Sequence, residues 1–205
     1  MIRKISILAL GVALAAGVTL SSAQAATDKY VLDKPHTQII FIADHLGFSR
    51  SVGKFTDYEG GFIFDTVDND KSSVEVTINT NSLELNDAKW NEHMKGVDFF
   101  NVEKFPAMTF KSTKVEKTGE KTGKITGDLT LLGVTKPVTL DVVHNNSARH
   151  PFGGKYVSGF SATGKIKRSD FGMTYGLPAV GDDVTLMIEV EGMREDAEGQ
   201  TPTNQ

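Results

Sequence analysis

Between Tyr30 and Gly192, apolar residues return at every second position in one short run after another. In "HTQIIFIADH", Ile39, Phe41, Ala43 and His45 share one face; in "GGFIFD", Phe62 and Phe64 do; in "SVEVTINT", Val74, Val76 and Ile78 lie opposite Glu75, Thr77 and Asn79. Met108 and Phe110 oppose Thr109, and Ile125, Leu129 and Leu131 oppose Lys124, Thr126, Asp128 and Thr130. Val138, Leu140 and Val142 follow Pro137, then come Phe160, Ala162, Gly164 and Ile166, and finally Val184, Leu186, Ile188 and Val190. A period of two is the signature of strands with one buried face, because successive side chains of a strand point to opposite sides. Turn clusters such as "DTVDNDK", "KTGEKTG" and "NNSARHPFGG" separate the runs. About eight strands at this spacing predict an all-β antiparallel barrel or sandwich.

Periodicity alone leaves barrel and sandwich open. The inward set mixes large residues (Phe41, Phe62, Phe64, Phe110, Phe160) with small ones (Ala43, Gly127, Ala162, Gly164). A sandwich interdigitates the two sizes into a solid core, whereas an eight-stranded barrel is just wide enough to be filled by side chains or to hold one small ligand. One segment breaks the period. "NDAKWNEHMKG" opens on the cap formers Asn86 and Asp87 and stops at Gly96, which predicts a short helix near 87–95. Trp90, Met94, Val97, Phe99 and Phe100 are too apolar to face water together and are expected to plug one end of the β-structure.

The chain begins with Arg3 and Lys4, a nearly unbroken apolar run from Ile5 to Leu20, and the small-x-small pattern Ala23-Gln24-Ala25. This is the form of a cleaved signal peptide over residues 1–25, so the protein is expected in the bacterial periplasm, without stable membrane insertion. Residues 26–192 are expected to form one domain and residues 193–205, which lack apolar periodicity, a disordered tail. Loss of the signal removes two basic and no acidic residues, leaving 20 against 26. That mild acidity argues against nucleic acid as a partner. The chain has no cysteine, which excludes disulfides, thiolate metal sites and a cysteine nucleophile.

Little in the sequence points to catalysis: no nucleophile elbow, phosphate loop or metal-binding motif appears, and no catalytic residue or cofactor is assigned. His36 and His45 read as lying on one strand and facing opposite ways, His93 sits on the helix, and His144 and His150 flank a Gly/Asn-rich loop. His45 stands apart because it shares a face with Ile39, Phe41 and Ala43, where an imidazole offers a polar contact to a ligand head group. Asp33, Asp44, Asp65 and Asp98 are dispersed among strands. "KIKRSD", Lys165 to Asp170, reads as a solvated strand end, or an anion contact at a cavity mouth.

Taken in order, "YVLDKPHTQIIFIADHLGFS", "GGFIFD", "FFNVEKFPAMTFKST", "ITGDLTLLGVTKPVTL" and "GKIKRSDFGM" resemble the YceI family of periplasmic polyisoprenoid-binding proteins. The resemblance implies a lipocalin-like barrel with one short helix and a lumen for a long isoprenoid chain, a quinone or a polyprenyl lipid, with binding or carriage rather than catalysis as its role. The side chains that alternation sends inward are then the expected ligand contacts: Ile39, Phe41, Ala43, His45, Phe62, Phe64, Val76, Ile78, Met108, Phe110, Leu129, Leu131, Leu140, Phe160, Ala162, Ile166, Leu186 and Ile188. The competing expectations are an enzyme acting on a lipid or small molecule at a His45-centred site, and a stress-associated barrel with a solid core. Whether the chain forms a homodimer is not specified by its sequence.

Overall fold

The structure, a computed structural model, describes residues 27–195. The expected signal segment and most of the expected C-terminal tail lie outside these residues. Eleven strands and one α-helix follow in chain order: β1 (Thr27–Leu32), β2 (Gln38–His45), β3 (Ser49–Phe55), β4 (Tyr58–Asp65), β5 (Ser73–Asn79), β6 (Leu83–Glu84), α1 (Ala88–Lys95), β7 (Ala107–Lys117), β8 (Thr122–Leu131), β9 (Val134–Arg149), β10 (Tyr156–Lys167) and β11 (Val180–Arg194). Every pairing is antiparallel, and eight strands close a ring in the order β1, β4, β5, β7, β8, β9, β10, β11 and back to β1. Closure leaves no free edge in the ring. The alternative left open by periodicity is thereby decided: the fold is a barrel.

The seam of the ring is β11. Its C-terminal residues pair with β1 (Tyr30 with Arg194, Leu32 with Gly192), and its earlier part pairs along the same edge with β2 (Glu189 with Gln38 through to Val184 with Ala43). Strands β1 and β2 are two halves of one wall, broken by a 3-10 turn at Lys34–His36. This corrects the expectation that His36 shares a strand with His45, since Pro35 cannot donate to a ladder and the chain turns there instead. Beyond β2 the wall continues through β3 to the short β6.

Strand β3 went unread because its inward positions are Ser51, Gly53 and Phe55, too small a stripe to register. Strand β9 runs to Arg149, so His144 sits in a strand and the turn is confined to the residues between Arg149 and Tyr156. At the C-terminus, Met193 and Arg194 remain in β11, two residues past the boundary expected at Gly192.

Helix α1 forms where the cap signals placed it. The Asp87 side chain accepts the amide of Trp90 at 2.9 Å, and the amide of Gly96 closes the last turn onto His93 O at 3.1 Å. The loop after it turns Phe99 and Phe100 into the barrel end, where both are buried with Leu83, Leu85, Leu131, Phe171 and Met173. Trp90 and Met94 are half-buried against that plug, but Val97 is 78 % exposed and takes no part in it. Gly96 adopts an extended backbone and the following residues form a turn, so the chain reverses at Val97 and sends it outward.

Candidate functional site: the barrel lumen

A cavity of about 600 Å³ occupies the barrel interior. All eighteen side chains expected to point inward lie on its wall. They come from β2, β4, β5, β7, β8, β9, β10 and β11, and a wall drawn from so many strands follows from closure, since each strand alternates one side chain in and one out. Leu129 and Leu140 are buried while their neighbours Asp128 and Asp141 are exposed, and Asp141 pairs with Lys124 on the outer surface.

Inward residues fall into two sets by burial. Phe41, Phe55, Ile78, Met108, Leu129, Leu131, Val138 and Val184 are buried in one cluster with Phe99 and Phe100. Val76, Phe110, Ile125, Val142, Phe160, Ala162, Leu186 and Ile188 are only half-buried and line the cavity. The interior is therefore hollow, not the solid core weighed as an alternative. A space of this size is typical of small-molecule sites, which are concave and mostly apolar.

Inward glycines do not supply the empty space, as their small size suggested. A Cβ at Gly53 would stand 2.2 Å from Phe41 Cζ, and one at Gly127 would stand 2.5 Å from Phe110 Cζ. A Cβ at Gly164 would meet Leu140 Cδ2 at 2.7 Å. Each glycine is the seat of a neighbouring strand's large side chain. The rings of Phe41 and Phe110 lie down on the wall instead of projecting across the lumen, and that leaves the centre open.

His45 lies at the end of β2, half-buried, with its ring 5.8 Å from that of Trp90 in an edge-on arrangement. Among the described residues its ring makes no hydrogen bond. The adjacent Asp44 is exposed and accepts the Gly47 amide at 2.9 Å, closing the β2–β3 turn. No His–carboxylate pair is built at this position.

A second histidine on the wall was not expected there. His144 continues the series Val138, Leu140, Val142, and its ring stands 5.1 Å from both Phe64 and Phe160. Its Nε2 lies 2.8 Å from Ser147 Oγ, which lies 2.7 Å from the fully buried Ser158 Oγ. Burial pushes the His144 pKa below the ordinary imidazole value, which favours the neutral ring. The period-two signal reaches this residue and would have found it, had "NNSAR" not read as a loop.

Arg168 also departs from expectation. It is 4 % exposed rather than a solvated strand end, and its guanidinium donates from Nε to Gly181 O (2.8 Å), from Nη1 to Met173 O (3.1 Å) and from Nη2 to Val180 O (3.1 Å). With three of its five N–H donors on these carbonyls, it pins the β10–β11 connection across the barrel end, where Met173, Tyr175 and Val180 line the cavity. Met173 and Tyr175 lie in an irregular loop, where no periodicity could announce them.

Comparison with known proteins places this geometry among relatives. The YceI-like domain matches residues 30–192. A UPF0312 protein of Serratia proteamaculans is 46 % identical over 182 residues, covering 88 % of this chain and 94 % of the relative. The crystal structure of the Campylobacter jejuni YceI protein superposes with a TM-score of 0.66 at 37 % identity, over 75 % of this chain and 90 % of that one. A polyisoprenoid-binding domain from Saccharophagus degradans superposes with a TM-score of 0.60 over 81 % of this chain and 98 % of that one; at 14 % identity it attests the fold.

Proposed function

The chain belongs to the YceI-like family, and we propose that it is a periplasmic binding or carrier protein for a long-chain isoprenoid lipid, a quinone or a polyprenyl lipid, held by its tail in the barrel lumen. The observation that carries this reading is the cavity of about 600 Å³ walled by aliphatic and aromatic side chains from eight strands. Support also comes from the Saccharophagus degradans domain of the same fold, which is described as polyisoprenoid-binding. Export rests on the basic start, apolar run and Ala23-Gln24-Ala25 pattern of the sequence. Among the described residues, no helix is long and apolar enough to cross a membrane.

The energetics fit a tail-binding site. A buried methylene contributes about 0.8 kcal/mol, so each five-carbon unit supplies on the order of 4 kcal/mol before the cost of ordering a flexible chain. At about 0.3 kcal/mol per heavy atom for larger ligands, a tail of about 40 carbons yields roughly 12 kcal/mol, near nanomolar affinity. Recognition by length and shape needs no charged clamp. We read the site as one that binds, because its wall is mainly aliphatic and aromatic.

Trp90, the single tryptophan, lines the cavity and reports on its filling. Titration with a long-chain isoprenoid quinone is expected to change its fluorescence saturably at one equivalent. A short-chain quinone with the same head group is expected to bind at least about a hundredfold more weakly. Equal affinity for the two would show that the tail does not set binding.

A further inference from the structure

Outside the lumen, the break between β1 and β2 gathers three side chains with metal-ligating atoms. Asp33, His36 and Glu191 each present one such atom, and all three atoms lie within 4.8 Å of one another. Asp33 is 8 % exposed, Glu191 is half-buried and His36 is open to solvent. The frame that holds them is rigid. The Asp33 amide donates to Glu191 O at 2.8 Å, while Thr37 Oγ1 donates to Glu191 O and accepts from Glu191 N, both at 3.2 Å. The Tyr58 hydroxyl reaches Thr37 O and Lys34 O from the far side of the turn.

The charges are not balanced by a basic side chain. Among the described residues, neither Asp33 nor Glu191 pairs with a lysine or arginine; Asp33 pairs only with His36, whose Nδ1 lies 2.8 Å from Oδ2. Lys34, the nearest in sequence, extends away to Asp57 at 3.3 Å. A buried carboxylate and a second, half-buried one thus share a single exposed imidazole. Burying negative charge without a cation is costly.

We propose that Asp33, His36 and Glu191 form a binding site for a divalent transition metal, with Zn²⁺ the ion that suits one imidazole and two carboxylates. Ligand atoms about 2.0–2.2 Å from a tetrahedral ion stand roughly 3.2–3.6 Å apart, so His36 Nδ1 and Asp33 Oδ2, now 2.8 Å apart, would open slightly while the widest pair, within 4.8 Å, closes. Three protein ligands leave the fourth position to water on the solvent side. The ion would staple the β1–β2 break to β11, where β11 passes from one partner strand to the other. Leu32, Thr37 and Ile39, adjoining the break, line the cavity, so the staple braces the lumen wall at its seam. The proposal does not depend on what the lumen holds.

The test is isothermal titration of the tag-free, chelator-stripped protein with ZnCl₂ at pH 8, with thermal melts alongside. One Zn²⁺ per chain and a raised Tm are expected. His36→Ala and Glu191→Gln, checked for folding by circular dichroism, should each weaken binding at least about tenfold, while His93→Ala and His150→Ala leave it unchanged. Absence of stoichiometric binding, or binding that survives both His36→Ala and Glu191→Gln, overturns the site; His36 then serves only as a protonated counter-ion to Asp33.

Discussion

At the residue scale, the register of the β8–β9 hairpin decides which side chains touch the lumen. Leu140 is buried and Asp141 exposed, one position apart. Leu140→Asp places an unpaired charge in the apolar wall and is expected to cost about 3–5 kcal/mol or prevent folding. Asp141→Asn removes only an exposed pair with Lys124 and should cost about 0–1 kcal/mol. Equal melting shifts for the two would show that the strand is out of register. The seat of Phe41 on Gly53 gives a sharper test. All three nearest contacts of a Cβ at Gly53 are atoms of the Phe41 ring, so Gly53→Ala should cost about 1–3 kcal/mol by overpacking. Shortening the ring in Phe41→Leu/Gly53→Ala should recover part of that loss, a non-additivity readable by chemical denaturation. Strict additivity would mean that the ring does not rest on the glycine.

At the scale of the elements, the β4–β5 connection is organised by one carboxylate. Asp65 is 1 % exposed and accepts the Thr27 hydroxyl at 2.8 Å and the amides of Val67 and Asp68 at 2.9 and 2.8 Å. The two backbone amides, Asp68 first, hold its pKa below the ordinary value of 3.8. Because folding lowers this pKa, the stability it contributes is complete above the ordinary value and is lost as pH falls through the folded one. Asp65→Asn should therefore lower Tm at pH 7, and the gap to wild type should narrow below about pH 4. A gap unchanged down to pH 2.5 would contradict this. Other elements show what the sequence could and could not display. Strands with large inward residues, and the helix with its Asp87 cap and Gly96 stop, were legible because periodicity and capping are local. Strand β3 was hidden because its inward Gly53 borrows its apolar cover from Phe41, a long-range arrangement. Arg168 looked like surface for the same reason: its three carbonyl partners lie 5 to 13 residues away, one in the loop before β11 and two at the start of β11.

At the scale of the molecule, one property matters most: a closed barrel that encloses an open cavity, with Phe99 and Phe100 turned into its helix end. If the open part holds a lipid tail, filling it from the wall must remove binding without removing the fold. Ala162 is half-buried on the lumen face of β10, flanked by Val142 on β9 and Ile188 on β11. Ala162→Phe should retain the barrel's circular dichroism and lose long-chain isoprenoid binding by at least about a hundredfold, whereas His45→Gln should keep most of the affinity because apolar burial dominates it. The most direct measurement is mass spectrometry of the protein purified gently from the cells that produce it, sprayed under native conditions and then extracted with organic solvent. A lipid-binding lumen predicts an added mass at up to one equivalent that extracts as an isoprenoid-tailed lipid and is absent from folded Ala162→Phe. A folded wild-type protein that carries no such mass and takes up none from added long-chain quinone would contradict the account.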